Sequence, residues 1–406
     1  MARASGNWRI ASAGFACLLS GVFVAPVFAQ ILPPGATVTR LVTGYNFTEG
    51  PVYDQVGGVY FTNLVFSNQF NSDIIRYDIA TGMAVVVDPT SDGANGLYLD
   101  ANGQVISADQ ATHRISRRSA TDITVVEEIL ASSWNGAGFN SPNDLVIDAA
   151  GGIYFSDPDY NNVRAQAEGV YYRNPAGTVN RILSGFVRPN GVMLSPGGET
   201  FYLAVEGEKR IMEYDVAGDG SLSNQRQFAR TDVNGSGVPL PGITNGPDGL
   251  TVDAAGNLYA AVQNAVFAWN ASGQRLFDLP VPQDPTNVTF GGADGRTLFI
   301  TAGNSLYGIE LNVPSTTPGD YNGDAVVDAA DYVVWRNALG TTNPIADGNH
   351  DGVVDIYDFD LWKANFGVSA GARSVAIVPE SSSAGTLLIG ISIFRLVRRR
   401  QYRRRN

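Results

Sequence analysis

Alternating apolar and polar residues recur through much of the chain as one repeated phrase. In each copy an alternating run leads into a tight turn rich in Asp, Asn and Gly, and a second alternating run follows. A period of two is typical of strands with one buried face, and such turns predict β-hairpins. The copies are GPVYDQVGGVYFTN at Gly50, GLYLDANGQVISAD at Gly96, DLVIDAAGGIYFSD at Asp144, GVMLSPGGETFYLAV at Gly191, GLTVDAAGNLYAAV at Gly249 and NVTFGGADGRTLFIT at Asn287.

The spacing of these copies predicts the architecture. Their starts lie roughly 40 to 58 residues apart, the interval of a four-stranded propeller blade. Further strand-like runs, such as DIIRYDIATG and RIMEYDVAGDG, stand between the copies, and no long segment with a helical period intervenes. The sequence therefore predicts an all-β, six-bladed propeller over residues 31–313.

Composition and the first residues narrow the class of protein. The 46 glycines and 20 prolines among 406 residues fit many turns, and a net charge of -12 disfavours a nucleic-acid partner. Arginines, an apolar stretch and V-F-A before Gln30 predict a secretory signal peptide at residues 1–29, with a membrane anchor as the alternative. We therefore expect an exported protein of the periplasm, cell surface or medium. Because the single cysteine, Cys17, lies in this segment, the mature chain would have no disulfide.

Equivalent positions of the phrase offer a ring of oxygen ligands. The first strand of each propeller blade runs along the central channel, so the residues that head these strands should converge. Each of them is a carboxylate or a carboxamide: Glu49, Asn95, Asn143, Asn190, Asp248 and Asn287. At any one position, turn geometry alone explains Asn or Asp equally well.

Two acidic members of this ring would repel each other and lose their hydration unless a cation lay between them. Hard oxygen ligands of mixed charge favour Ca²⁺ or Mg²⁺, and the lack of nearby His or Cys disfavours a tight Zn²⁺ site without removing Zn²⁺ from consideration. The one histidine in this region, His113, would lie either near the channel mouth or on the solvated surface.

Several motifs in order along the chain carry a family resemblance. The motifs are TEGP at Thr48, NSPNDLVID at Asn140, YFSDPDY at Tyr154, RPNGVMLSP at Arg188, GPDGLTVDAAGNLY at Gly246 and TNVTFGG at Thr286. They resemble the gluconolactonase / senescence-marker-protein / luciferin-regenerating-enzyme-like propellers, the SGL family, over the whole predicted propeller. The resemblance implies hydrolysis of a sugar lactone or a related cyclic ester.

The resemblance also implies roles for ring residues. It implies that Glu49, Asn190 and Asp248 bind the divalent metal, that Asn143 faces both metal and substrate, and that Asp248 is the candidate general base. We expect the amides of Asn143, Asn95 and Asn287 to orient substrate oxygens. Ser141 stands where some family members carry a sugar-binding arginine, and ADQATHRISR lacks a His-Gly pair that many bacterial members show, so the substrate stays open.

Two alternatives remain at this point. The first concerns Asp157, which either supports the metal shell or only shapes the S-D-P-D turn. The second concerns function. Non-catalytic propellers of the NHL-repeat kind share the sequence pattern G-L-x-V-D-x-x-G-N-L-Y, and they bind partners but catalyse no reaction. A binding propeller has no need for Glu at one ring position and Asp at another, and this favours the hydrolase.

A second repeat follows a linker at residues 314–319. DYNGDAVVDAADYVVWRNALG returns 27 residues later as DGNHDGVVDIYDFDLWKANFG, each with oxygen side chains at positions one, three, five, nine and twelve of a calcium loop. These residues are Asp320, Asn322, Asp324, Asp328 and Asp331, then Asp347, Asn349, Asp351, Asp355 and Asp358. The pair resembles a small all-α type I dockerin at residues 320–367. This implies two bound Ca²⁺ ions and a cohesin-like partner; a calcium-stabilised spacer is the alternative.

The chain ends in a pattern that predicts a sorting signal. After a linker at residues 368–378, Pro379 and Glu380 precede a short apolar run and an arginine cluster. Residues 379–406 resemble a PEP-CTERM sorting tail, although Ser381 stands in place of the expected second proline. The resemblance implies transient retention at a membrane and a sorting or processing protease as a partner.

Overall fold

The structure is a computed structural model that describes residues 31–66, 70–160, 166–314, 316–324, 326–341, 343, 345–349 and 353–369. The predicted signal peptide, the predicted sorting tail and Asp351 lie outside these residues, as does most of the linker at 368–378. No helix within the described ranges is long and apolar enough to cross a membrane.

Six four-stranded antiparallel sheets form within the described residues, one for each copy of the repeated phrase. The chain begins with β1 (Thr39–Thr43). The first three blades follow as β2 (Thr48–Tyr53), β3 (Gly58–Val65), β4 (Asn71–Asp78) and β5 (Met83–Asp88); β6 (Ala94–Leu99), β7 (Val105–Asp109), β8 (Arg114–Arg118) and β9 (Val126–Ala131); then, after the hairpin β10 (Ser133–Trp134) and β11 (Ala137–Gly138), β12 (Leu145–Ile147), β13 (Ile153–Asp157), β14 (Gly169–Arg173) and β15 (Val179–Ser184).

The remaining blades repeat the same order of strands. They are β16 (Pro189–Leu194), β17 (Thr200–Val205), β18 (Arg210–Val216) and β19 (Leu222–Arg230); β20 (Leu250–Val252), β21 (Leu258–Val262), β22 (Ala265–Trp269) and β23 (Arg275–Pro280); and β24 (Pro285–Gly291), β25 (Thr297–Ala302) and β26 (Ser305–Glu310). A short 3₁₀ helix, Glu206–Glu208, follows β17. The six-bladed propeller predicted from the repeats is confirmed.

The last blade is completed by the first strand of the chain. β1 pairs antiparallel with β26, from Thr39 opposite Gly308 to Thr43 opposite Ser305. The N-terminal and C-terminal ends of the propeller therefore share one sheet, and this pairing closes the ring. The sequence did not predict it, since the five-residue strand TRLVT lies outside the repeated phrase.

The aspartates of the repeated phrase build its turns. Asp148 Oδ1 accepts hydrogen bonds from the backbone N–H groups of Ala150 and Gly152, and Asp253 Oδ1 accepts them from Ala255 and Asn257. These contacts add to the backbone hydrogen bonds of the same turns, such as that from Asp148 N–H to the carbonyl of Gly152. Between neighbouring blades, the faces are packed with buried aromatic and branched side chains, as where Tyr154 of the third blade meets Phe201 of the fourth at 5.0 Å between ring centroids.

The C-terminal repeats form two short helices, α1 (Ala329–Ala338) and α2 (Ile356–Asn365). Each begins with a capping box, formed by Asp328 with Asp331 in one repeat and Asp355 with Asp358 in the other. The repeats also exchange hydrogen bonds: Trp335 Nε1 donates to the carbonyl of Asp355 at 2.8 Å, and Trp362 Nε1 to that of Asp328 at 2.7 Å. The two repeats therefore pack as one reciprocal pair.

Candidate functional site

The predicted ring residues lie where regular strand pairing is interrupted. In four blades the pairing of the innermost strand shifts register beside the ring residue, for example between Glu49 and Val52 or between Pro189 and Val192. In the third and fifth blades the strand begins only after the ring residue, at Leu145 and Leu250. Such irregularities redirect side chains and are frequent beside active sites.

Glycines that follow the ring residues bring neighbouring blades into contact. A Cβ at Gly50 would stand 2.0 Å from the carbonyl oxygen of Asn95, and one at Gly191 would stand 2.2 Å from that of Asp248. Gly96 meets Asn143, and Gly249 meets the side-chain amide of Asn287, in the same way. Only glycine permits this approach, so residues from successive blades converge around the axis.

A cavity of about 670 Å³ opens on this convergence. Five of the six predicted ring residues line it: Glu49, Asn95, Asn143, Asn190 and Asp248. One part of its wall is apolar, with Phe47, Leu64 and Phe66 from the first blade. Among the described lining residues there is no Lys, Arg or His, so the polar part of the wall is acidic or neutral.

Three buried oxygens in the ring have no hydrogen-bond donor within the described part of the chain: Oδ1 of Asn95, of Asn190 and of Asp248. Asn95 and Asn190 are buried, whereas Asp248 keeps part of its surface open to the cavity while its Oδ1 is shielded. A buried oxygen without a partner carries a desolvation cost of about 1–3 kcal/mol unless a ligand compensates it. Three such atoms on one cavity therefore indicate a ligand.

The acidic members of the site disfavour ionisation of one another. Burial, followed by the nearby charges of Glu49, Glu206 and Asp144, raises the pKa of Asp248 well above its ordinary value, and a hydrogen bond with Asn190 opposes the shift. Burial is also the main cause that raises the pKa of Glu49, with Asp144 and Glu206 adding to it. A cation bound among these groups would reverse this balance by favouring their charged forms.

The residues present fit a hard divalent cation. The candidate ligands Glu49, Asn190 and Asp248 offer two carboxylates and an amide oxygen, and two of the unpartnered oxygens belong to this set. No cluster of three or more His, Cys, Asp or Glu suited to a metal is found among the described residues, so the fit depends on the mixed carboxylate and amide set. Oxygen ligands of this kind suit Ca²⁺ or Mg²⁺ better than Zn²⁺.

Asn287 lies in a different place from the other ring residues. Its Oδ1 accepts a hydrogen bond from the N–H of Val288 at 2.8 Å, and its side chain hydrogen bonds with Glu49 and lowers the pKa of that carboxyl. It is not among the described residues that line the cavity. These contacts connect Asn287 to Glu49, and the substrate contact that we predicted for Asn287 stays a prediction.

Asp157 and His113 both hold the segment that leads to Asn143. Both carboxylate oxygens of Asp157 accept from the N–H of Asn140, and Oδ1 also accepts from that of Ser141. His113 Nδ1 lies 2.5 Å from the carbonyl oxygen of Asn140. These contacts anchor the segment before Asn143, and the two predicted roles of Asp157, in the metal shell or in the S-D-P-D turn, stay open.

Sequence reasoning missed Glu206, Tyr160 and Asp144. Glu206 and Tyr160 line the cavity, whereas Asp144 lies behind it and accepts from the N–H of Leu145 and of Val192 in the next blade. Glu206 follows the second strand of its copy directly. The residues at the same place in four other copies also line the cavity: Phe66, Gln110, Gln263 and Gly303. This second ring was the signal available in the sequence.

The predicted calcium loops are held by hydrogen bonds in this structure. Asp331 Oδ1 accepts from the N–H groups of Tyr321 and Asn322, and its Oδ2 accepts from that of Asp328. Asp358 makes the corresponding contacts with Asn349 and Asp355. Both aspartates are fully buried, and a bound ion would share oxygens that already accept backbone N–H groups.

Known proteins with similar sequences and structures match the propeller. A gluconolactonase of Zymomonas mobilis is 24% identical over 308 residues, which cover 70% of this chain and 83% of that protein. A pentonolactonase of Haloferax volcanii is 26% identical over 279 residues, covering 65% and 84%. The solved structure of a gluconolactonase from Xanthomonas campestris superposes with a TM-score of 0.61 at 25% identity, covering 71% of this chain and 93% of the other.

The family profile described as the SMP-30/Gluconolactonase/LRE-like region matches residues 47–304. This span begins just before Glu49 and ends just after β25, so it includes every ring residue. The chain therefore belongs to the SMP-30/gluconolactonase/LRE-like family.

Proposed function

We propose that this protein is a metal-dependent lactonase that hydrolyses a sugar lactone or a related cyclic ester. The enzyme class is supported by the relatives, which are named as lactonases of two different sugar lactones. The observation that carries the assignment to this cavity is the set of unpartnered oxygens of Asn95, Asn190 and Asp248 on its wall.

The chain's own residues divide the work of hydrolysis. A divalent cation would be held by Glu49, Asn190 and Asp248, with Ca²⁺ as the first candidate and Mg²⁺ or Zn²⁺ as alternatives. When bound, such a cation polarises the lactone carbonyl and stabilises negative charge on its oxygen. Asp248 accepts a proton from the water that attacks the carbonyl carbon, and returns it to the ring oxygen when the ester bond breaks. Asn143 and Asn95 orient the substrate oxygens, and Asn287 holds Glu49.

The test measures ion binding and catalysis in the same preparation. EDTA should lower both the melting temperature and the rate of hydrolysis across a panel of γ- and δ-sugar lactones, and added Ca²⁺ should restore both. If EDTA changes neither quantity, or if the ion-loaded protein turns over no lactone, the propeller acts as a binding module of the NHL-like kind instead.

We further propose that the protein is exported and that the C-terminal repeats bind two Ca²⁺ ions and display the propeller. Support comes from the matched capping boxes and the reciprocal tryptophan contacts of the two repeats. A cohesin-like protein is the proposed partner of this module, and a protease acts on the sorting tail. Calorimetry with Asp331→Ala and Asp358→Ala tests the stoichiometry, since each variant should lose one of two C-terminal Ca²⁺ ions.

A further inference from the structure

A hydrogen-bonded chain connects a surface turn to one of the proposed cation ligands. The 3₁₀ turn that follows β17 carries Glu206, which forms an ion pair with Arg188 at 2.9 Å. The hydroxyl of Tyr160 donates a short hydrogen bond to Glu206 Oε2. The same hydroxyl lies 3.0 Å from Nδ2 of Asn190.

The direction of these bonds follows from chemistry. A carboxylate paired with arginine can only accept, so the single hydroxyl proton of Tyr160 points to Glu206. The lone pairs of the hydroxyl oxygen are then left to accept from Nδ2 of Asn190. Glu206 thus polarises Tyr160 and makes its oxygen an acceptor on the side that faces Asn190.

This acceptor, together with the carboxylate of Asp248, orients the Asn190 carboxamide. The oxygen and nitrogen of an amide are nearly equal in size, so hydrogen bonds decide which way the group faces. Nδ2 contacts the Tyr160 hydroxyl, and the hydrogen bond with Asp248 gives the carboxamide a second partner. Oδ1 is buried and has no donor among the described residues. A flipped amide would turn Oδ1 toward Tyr160 and put N–H groups where Oδ1 now lies, and an N–H group cannot ligate a cation.

The same turn also contacts the blade that carries Asp248. A Cβ at Gly246 would stand 2.0 Å from the carbonyl oxygen of Glu206, so the backbone of the turn rests directly on the segment two residues before Asp248. The turn therefore touches the supports of two proposed ligands from different blades.

We propose that Tyr160, backed by Glu206, is a positioning residue that holds Asn190 in its ligating orientation. The inference rests on the proposed function, since it concerns a ligand of the proposed cation. Asn190 and Glu206 belong to the two rings of equivalent positions, whereas Tyr160 has no counterpart in the other copies of the repeated phrase.

The experiment uses Tyr160→Phe in the full chain and titrates Ca²⁺ by calorimetry. Because the C-terminal loops are predicted to bind Ca²⁺ too, the propeller's binding step is identified as the step that Asp248→Asn removes. Loss of an outer hydrogen bond to a metal ligand typically weakens metal binding about 10–100-fold. We expect a weakening in that range for this step, while the Ca²⁺ steps of the C-terminal loops stay unchanged. Glu206→Gln should weaken the same step less, because its amide oxygen can still accept from Tyr160.

Tyr214→Phe is the matched control. Tyr214 is a buried tyrosine of the same blade pair whose hydroxyl has no hydrogen-bond partner among the described residues, so its removal should leave every Ca²⁺ step unchanged. Tyr160→Phe binding Ca²⁺ within twofold of the parent would overturn the inference, as would a parent with no step sensitive to Asp248→Asn. If the step weakens as expected but the parent hydrolyses no lactone, the inference stands and the proposed function fails.

Discussion

Two clusters of buried acidic groups in the propeller differ in how their charge is balanced. In the second blade, the buried guanidinium of Arg118 lies 2.6 Å from Asp88 and 3.7 Å from Asp109, and it also donates to the carbonyl oxygen of Ser91. In the central ring, Asp248 faces the charges of Glu49, Glu206 and Asp144, and the described lining of the cavity contains no basic side chain. The first cluster therefore encloses a buried cation, whereas the cation beside the second, Arg188, is 46% exposed and pairs with Glu206.

The difference separates a structural role from a functional one. Buried charges that serve only stability are paired and hydrogen-bonded, because an unpaired charge in the interior costs several kcal/mol. The ring holds acidic groups that repel one another with no buried cation among the described residues that line it. Such an arrangement is explained when a ligand supplies the missing positive charge. The comparison therefore predicts that equivalent changes in the two clusters will have opposite effects on stability.

The largest expected effect is on catalysis, in Asp248→Asn. Loss of the proposed base and of a cation ligand should lower kcat by about 10²–10⁴-fold. In EDTA, however, the variant should melt at a higher temperature than the parent, because the neutral amide no longer faces the other acidic groups. Lactone kinetics and calorimetric melting of the same samples check both parts. A variant that is both active and less stable would contradict the functional reading of the ring.

The second effect is on stability, in Arg118→Met. Removal of the guanidinium leaves the buried carboxylates of Asp88 and Asp109 unpaired, and breaking a buried pair in this way costs about 3–5 kcal/mol. Urea denaturation measures this loss. The folded fraction should keep the parent's kcat, because Arg118 lies outside the cavity. A loss of stability below about 1 kcal/mol would mean that this buried pair contributes no more than an exposed ion pair does, and would contradict the prediction.

Of the residues in these two clusters, the sequence predicted those that occupy equivalent positions in copies of the repeated phrase. Glu49 and Asp248 stand at equivalent positions of two copies, so the repeat itself aligned them around an axis. Tyr160 lies outside the repeated positions, in one blade only, and therefore gave no periodic signal. Arg118 reads as an ordinary polar position of an outer strand; its partner Asp88 lies 30 residues away and meets it only through the packing of two blades.

The strand that closes the ring was missed for the same reason. β1 pairs with a strand more than 260 residues later, and its five residues carry little pattern of their own. Asn287 shows the limit of a purely positional argument. It occupies a ring position in sequence, but its side chain hydrogen bonds with Glu49 and packs against Gly249 of the neighbouring blade, and it is not among the described residues that line the cavity.

The third prediction concerns a substitution, Gly191→Ala, that should move a ring residue without changing the charge of the ring. In Gly191→Ala the new methyl group would press on the carbonyl oxygen of Asp248, so the segment that carries this ligand must move. We expect a cost of about 1–3 kcal/mol, the range for overpacking, together with weaker Ca²⁺ binding and a lower kcat. Gly218→Ala is the control, since a Cβ there meets no atom within 4 Å. Equal kinetics in the two variants would show that ligand placement tolerates this shift.

The smallest expected effect isolates burial as the cause of the difference between clusters. Arg230 contacts Asp232 at 2.6 Å, the same separation as Arg118 and Asp88, but its side chain is 43% exposed where that of Arg118 is 1% exposed. Water and salt screen the exposed pair, so Arg230→Met should cost less than about 1 kcal/mol, against several for Arg118→Met. Urea denaturation of both variants at low and high salt measures the contrast. If the two substitutions lower the free energy of unfolding equally, the distance between the charged groups matters more than their burial. The buried acidic groups of the ring would then no longer indicate a functional site.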